Sequence, residues 1–121
     1  MTSSPPVDRD DDVFVVLCTA PADSAVQARL ARGLVDGRLA ACVNVIPKVR
    51  SFYRWEGEVH DDEEAQLLIK TTRARLDDVV AHLHAQHPYD VPEVLALRVA
   101  EGGDAYLAWV AGETRRPADP R

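Results

Sequence analysis

Residues 13–18, Val-Phe-Val-Val-Leu-Cys, form a short apolar run rich in β-branched side chains. Such a run predicts a strand buried on both faces. A proline and small or polar residues follow at 19–23, where Asp23 offers a side chain to cap a helix. Val26, Leu30 and Leu34 then recur every four residues, with Ala31 and Val35 beside them. That stripe predicts a helix ending near Gly37. Residues 40–55 have strand character throughout, and Pro47, which cannot donate to a ladder, predicts an edge or a bulge there. Glu56-Gly57-Glu58 turns the chain, and strand character returns from Val59, strongest over 65–71, after an acidic stretch at 61–64. Residues 40–72 are therefore expected to form one long hairpin. Leu76, Val79, Val80, Leu83 and His87 fall on one face of a second helix, over about 74–86, which Pro88 stops. Residues 94–99 predict the last strand, and Asp104 caps a short closing helix carrying Tyr106, Leu107, Trp109 and Val110.

The order β-α-β-β-α-β plus a short helix predicts an α+β, ferredoxin-like sandwich with sheet order 4-1-3-2, every neighbour antiparallel and the first two helices on one face. Two consequences follow. The first hairpin arm, at ~3.3 Å per residue, would extend roughly 50 Å, against about 20 Å for the first strand. The hairpin must overhang its sheet, and Phe52, Tyr53 and Trp55 lie near its tip. An aromatic overhang and open sheet edges predict association between copies of the chain. The topology also places Cys18, the start of the first helix and His87 at one end of the sheet. A thiolate, favoured by a helix N-terminus, and an imidazole are ligand types that suit copper or zinc.

Length and composition narrow the setting. A chain of 121 residues is one domain by size. The domain is expected over 13–112, between a disordered acidic tail at 1–12 and a flexible tail at 113–121. The net charge is −6, of which residues 1–12 contribute −3, and no basic stripe is present. Nucleic acid is therefore not expected as a partner. No apolar run reaches the ~18 residues of a membrane span, so no membrane is expected either. Residues 1–12 have neither a basic start nor an apolar segment and do not read as a secretory signal. With two cysteines, Cys18 and Cys42, a reduced, cytoplasmic protein is expected.

Each candidate side chain has a plainer alternative. Cys18 is either a soft ligand or a small buried residue at a strand end. His87 is either a ligand or a helix C-terminal His complementing the dipole. His84 and His87 are spaced to share a helix face, but zinc in structural sites wants four ligands. Cys42, between Ala41 and Val43, fits core packing. His60 with the carboxylates at 61–64 could hold a hard cation, or form a solvated acidic loop. Lys70 follows an apolar stretch, so it is either exposed or paired with a carboxylate of another copy. Tyr53, Trp55 and Trp109 fit interface or core anchors, with a ligand-stacking role as the alternative. The chain has no nucleophile elbow, Walker loop, GxGxxG or CxxC, and no third group orients a Cys18–His87 pair. Catalysis is not expected, and no organic cofactor is implied.

Several segments together resemble the CutA divalent-cation tolerance family. They are residues 16–21 (VLCTAP), 39–47 (LAACVNVIP), 53–57 (YRWEG), 69–72 (IKTT), 87–93 (HPYDVPE) and 106–109 (YLAW), in the family's order. The resemblance implies a ferredoxin-like homotrimer in the cytoplasm, linked to tolerance of copper and other divalent ions. It implies copper on Cys18 and on a His-His pair, of which the second His is His87 and the first is replaced by Gln86. Two other functions remain open: a PII-like small-molecule sensor with sites between subunits, by analogy of fold, and a structural trimer that anchors a partner.

Overall fold

The computed structural model describes residues 8–116. The order is β1 (Val13–Pro21), α1 (Ser24–Asp36), β2 (Cys42–Trp55), β3 (Glu58–Thr72), α2 (Arg73–Gln86), β4 (Leu95–Arg98) and α3 (Asp104–Glu113). The sheet runs β2-β3-β1-β4 with antiparallel neighbours, the expected ferredoxin-like order.

Local chemistry accounts for the element ends. Asp23 Oδ1 accepts the amides of Ala25 and Val26, at 2.9 and 3.2 Å, and starts α1. The left-handed residue after α1 is Arg38 (φ 57°) rather than Gly37 (φ −81°). The hairpin turn places Glu56 (φ 51°) and Gly57 (φ 81°) between the paired residues Trp55 and Glu58. Two positive φ angles in a two-residue loop match the twist of the strands it joins. Pro47 and Lys48 (φ 60°) stand opposite one residue of β3, between the pairs Ile46–Gln66 and Val49–Glu64. This is the expected bulge.

Strand pairing sorts the side chains onto two faces. Val16, Ile69 and Val43 share a row, as do Cys18, Leu67 and Val45. These rows pack against Leu30 and Leu34 of α1 and Leu76, Val79 and Leu83 of α2, forming the core. The other face carries Val15, Lys70, Cys42 and Leu97 in one row and Leu17, Leu68, Asn44 and Leu95 in the next. α3 crosses part of that face: the Thr72 and Thr114 hydroxyls are 3.1 Å apart. Leu95 and Leu97 stay 52% exposed. β1 stops pairing with β3 at Glu64, so residues 58–63 pair only with β2. The hairpin overhangs as its length required, with Phe52 and Trp55 63% and 50% exposed.

Three boundaries differ from the sequence reading. Residues 8–12, assigned to a tail, are held on the domain: the Arg73 amide donates to Asp12 O at 2.9 Å, the Ala74 amide donates to Asp10 O at 3.1 Å, and Arg98 bridges Asp8 and Asp12. Residues 61–64 are continuous strand, because ladder pairing with β2 satisfies a backbone that composition alone assigns to a loop. Thr114 is buried and bonded to Val110 O, so the domain extends past 112. Residues 1–7 and 117–121, the remainder of the expected tails, lie outside the described residues.

α1 and α2 meet through Gly33 and His82. A Cβ at Gly33 would stand 2.9 Å from both Cε1 and Nε2 of the His82 ring, so the ring occupies the space that glycine leaves. His82 Nε2 is sealed from solvent without a hydrogen-bond partner. Burial lowers the pKa of His82. The unfolded chain then binds a proton here more readily than the folded one, so this contribution is full above the ordinary histidine value of ~6.5 and is lost as pH falls below it. Denaturant unfolding at a series of pH values should show stability falling between about pH 7 and 5, and His82→Leu should flatten that part of the slope. Gly33→Ala should destabilise by about 1–3 kcal/mol through overpacking, although alanine usually favours a helix interior by roughly 1 kcal/mol. Adding His82→Ala should restore most of the loss.

Candidate functional site

The two predicted ligands do lie at one end of the sheet, on either side of Thr19. Cys18 is fully buried in the core face of β1, and its Sγ is 3.5 Å from Thr19 O. Burial, and then the negative charge of Glu93, push its thiol up to about 12. The expected thiolate is therefore not favoured, because loss of hydration outweighs the nearby start of α1. His87 caps α2, its amide donating to Leu83 O, and its ring is buried. His87 Nε2 lies 2.7 Å from Thr19 O. A carbonyl only accepts, so Nε2 carries the proton. Nδ1 accepts the Tyr89 amide at 3.1 Å. Both ring nitrogens are thus engaged, one lone pair by a backbone amide and the other position by a proton.

This arrangement does not fit copper or zinc within one chain. The thiol is neutral and covered, and the imidazole has no free lone pair. Among the described residues, no group of three or more His, Cys, Asp and Glu side chains converges as a metal site. The alternative hard-cation cluster is dispersed for a simple reason. Residues 60–64 are strand, so their side chains alternate between faces. Gln86, at the end of α2, contributes its carbonyl to Arg29 at 3.1 Å.

Beside Thr19 the chain forms an open cleft of about 610 Å³, within the size range of small-molecule sites. The hairpin supplies one wall. Beyond the bulge, Ser51, Tyr53 and Trp55 pair with Asp62, His60 and Glu58, and Val49 pairs with Glu64. These residues share a face. Arg50, Phe52 and Arg54 point the opposite way, where Arg50 makes a bidentate pair with Asp61, at 2.8 and 2.7 Å, and lies over the Phe52 ring. The loop after α2 supplies the other wall, with Tyr89, Asp90, Val91, Pro92 and Glu93. Tyr89 donates its hydroxyl to Glu64 Oε2 at 2.9 Å. Burial, and then the bond to Glu64, hold the Tyr89 phenol well above the usual tyrosine range. Tyr53 stacks on His60, with ring centroids 5.1 Å apart, and donates to Asp62. Gln66 Nε2 donates to Glu93 Oε2 at 3.3 Å.

The remaining candidates fall elsewhere. Cys42 lies on the open face rather than in the core, and Lys70 Nζ reaches its Sγ at 3.9 Å and also Asn44 Oδ1. Tyr53, Trp55 and Trp109 are 40%, 50% and 44% exposed, so none of them is a core anchor in the single chain. Sequence reasoning passed over Tyr89 as a site residue, and weighed Glu64 only as one carboxylate of a hard-cation cluster. The acidic run concealed Glu64. A visible signal was its position at the last register before the hairpin outruns the first strand.

Residues 14–113 match the family profile described as CutA1 divalent ion tolerance protein. The divalent-cation tolerance protein CutA of Pectobacterium atrosepticum is 46% identical over 104 residues, covering 86% of this chain and 94% of that protein. Protein CutA, chloroplastic, of Arabidopsis thaliana is 46% identical over 102 residues; the match takes in 84% of this chain and 56% of that longer protein. The solved structure of the divalent cation tolerance protein from Thermus thermophilus superposes with a TM-score of 0.81 at 46% identity, covering 85% of this chain and 99% of the other.

The state of Cys18 is open to direct measurement. A thiol-reactive probe added to the native protein should leave Cys18 unmodified, and labelling at this position should appear only as denaturant unfolds the chain. Peptide mass mapping of the labelled cysteine reads the result.

Proposed function

The chain belongs to the CutA1 divalent ion tolerance family, and from that premise we propose that it acts in tolerance of or response to divalent metal ions as a cytoplasmic homotrimer, a binding protein rather than an enzyme. The observation that carries the assembly is the uncovered face of the sheet. α1 and α2 bury one face, while Leu95, Leu97 and Ile46 remain about half exposed on the other. Among the described residues the outer edges of β2 and β4 are unpaired, and Phe52 projects from the overhanging arm, which adds a second exposed region. Exposed apolar side chains and open strand edges of this kind are stable in water when another copy covers them. Three copies is the number that the family resemblance implies. The non-enzymatic reading is supported by His87: its ring nitrogens are committed to Thr19 and Tyr89, so it is not poised to take a proton from Cys18. The cytoplasmic placement is supported by two free cysteines, Cys18 and Cys42.

Copper on Cys18 and His87 would require the Tyr89 amide to release Nδ1 and the thiol to lose both its cover and its proton. Divalent ions are therefore met, in this proposal, by the assembled trimer and not by that pair in one chain. A second reading, a small-molecule sensor, is favoured by the cleft, whose walls combine rings and polar groups in the manner of ligand sites.

Native mass spectrometry with copper(II) titration tests the proposal. The expected result is a trimer whose copper uptake is weak and unchanged by Cys18→Ala. A monomer would overturn the assembly. One tightly held copper per chain, lost in Cys18→Ala, would instead show that association completes a site around the pair.

A further inference from the structure

The cleft has a marked chemical bias. Its walls hold the rings of Tyr53, Trp55 and Tyr89 and the carboxylates of Glu64, Asp90 and Glu93, and among the described residues no Lys or Arg lines it. The strand pattern produces that bias. The face of β3 toward the cleft carries Glu58, Asp62 and Glu64, while the hairpin arginines occupy the far side.

Glu64 is the decisive residue. It is 8% exposed, so its charge is largely removed from water. Its Oε2 accepts the Tyr89 hydroxyl, and among the described residues it joins no ion pair. A buried carboxylate is normally compensated by a cation as well as by hydrogen bonds. Here the compensating position opens into the cleft, flanked by aromatic rings. A cation carried on an apolar body satisfies both features at once, the charge against Glu64 and the body against the rings.

We infer that the cleft binds a small organic ammonium ion, with Glu64 as its counter-ion and Tyr53, Trp55 and Tyr89 as the wall that takes its apolar part. This rests on the reading of the cleft as a ligand site and specifies its ligand class. A bare divalent metal ion lacks the apolar body and is not the ligand of this site. Tyr89 holds one Glu64 oxygen and leaves the other for the ammonium group.

Isothermal titration calorimetry on the full chain, stripped of metal with a chelator, distinguishes the outcomes. Benzylamine, protonated at neutral pH, is the probe; benzyl alcohol and benzoate have the same ring without the positive charge. Benzylamine should saturate one site per chain and bind at least about tenfold more tightly than either control. Glu64→Gln, which keeps the acceptor for Tyr89, should remove most of that preference. Trp55→Ala should weaken benzylamine several-fold, and because Trp55 is half exposed its loss leaves the core intact. Circular dichroism confirms folding of each variant. Should Glu64→Gln fail to fold, Trp55→Ala and the comparison of probes still decide the matter. Equal binding of benzylamine and benzyl alcohol, or unchanged benzylamine affinity in Glu64→Gln, overturns the inference. Tighter binding of benzoate also overturns it while leaving the cleft a ligand site. Absence of binding by all three probes overturns the ligand class and the sensor reading together.

Discussion

The constraint on which this structure depends is the unequal length of paired strands. β3 has 15 residues, and β1 has 9 to set against it. Where both neighbours are present, β3 is the interior of a sheet and its side chains are Leu67, Ile69 and Thr71 toward the helices. Past Glu64 one neighbour is missing. The strand continues only because β2 still pairs with it, and its side chains become charged. One strand therefore serves as core, as half-covered face and as projecting arm in turn. The cleft lies at the change from sheet to arm, where a gap between the arm and the loop after α2 is not filled by β1.

The same geometry explains why the ends of elements are anchored by specific bonds. Thr71 donates its hydroxyl to Leu39 O at 2.6 Å, tying the chain after α1 to the end of β3. Arg98 reaches back to Asp8 and Asp12, so the short β4 is fastened to the segment that precedes β1. With only four residues in β4, ladder bonds alone hold little, and these charge-assisted contacts supplement them.

Much of the fold was legible because its signals are local and periodic. The four-residue spacing of Val26, Leu30 and Leu34 marked α1, and β-branched residues marked β1. Pro47 announced the bulge, and arm lengths announced the overhang. What stayed hidden was environmental. Cys18 looks equally suited to a ligand and to a core position, and burial, which decides between them, is a property of the packed chain. His87 shows its preference only once Thr19 O and the Tyr89 amide are placed around its ring. Residues 61–64 looked like a loop because a strand with charges on both faces is legible only when its partner is known. His82 carried no sequence signal, since its position depends on a glycine 49 places earlier that leaves room for it.

The bulge at Pro47 and Lys48 determines more than a bend. Before it, the even-numbered residues of β2 face the same side as Lys70, Leu68 and Gln66; after it, the odd-numbered ones face that side. One inserted residue reverses the parity of the rest of the strand. Had the ladder continued without it, Lys48, Arg50, Phe52 and Arg54 would stand over Glu64, Asp62, His60 and Glu58, and the cleft wall would be basic. Tyr53 and Trp55 would turn outward. Deleting Pro47 or Lys48 would instead leave one residue opposite Ala65 and keep Val49 against Glu64, so the wall depends on the extra residue being absorbed here rather than at the hairpin turn. The side chains that face the cleft are therefore a matter of where along the arm the extra residue is accommodated, a choice of register and not of composition.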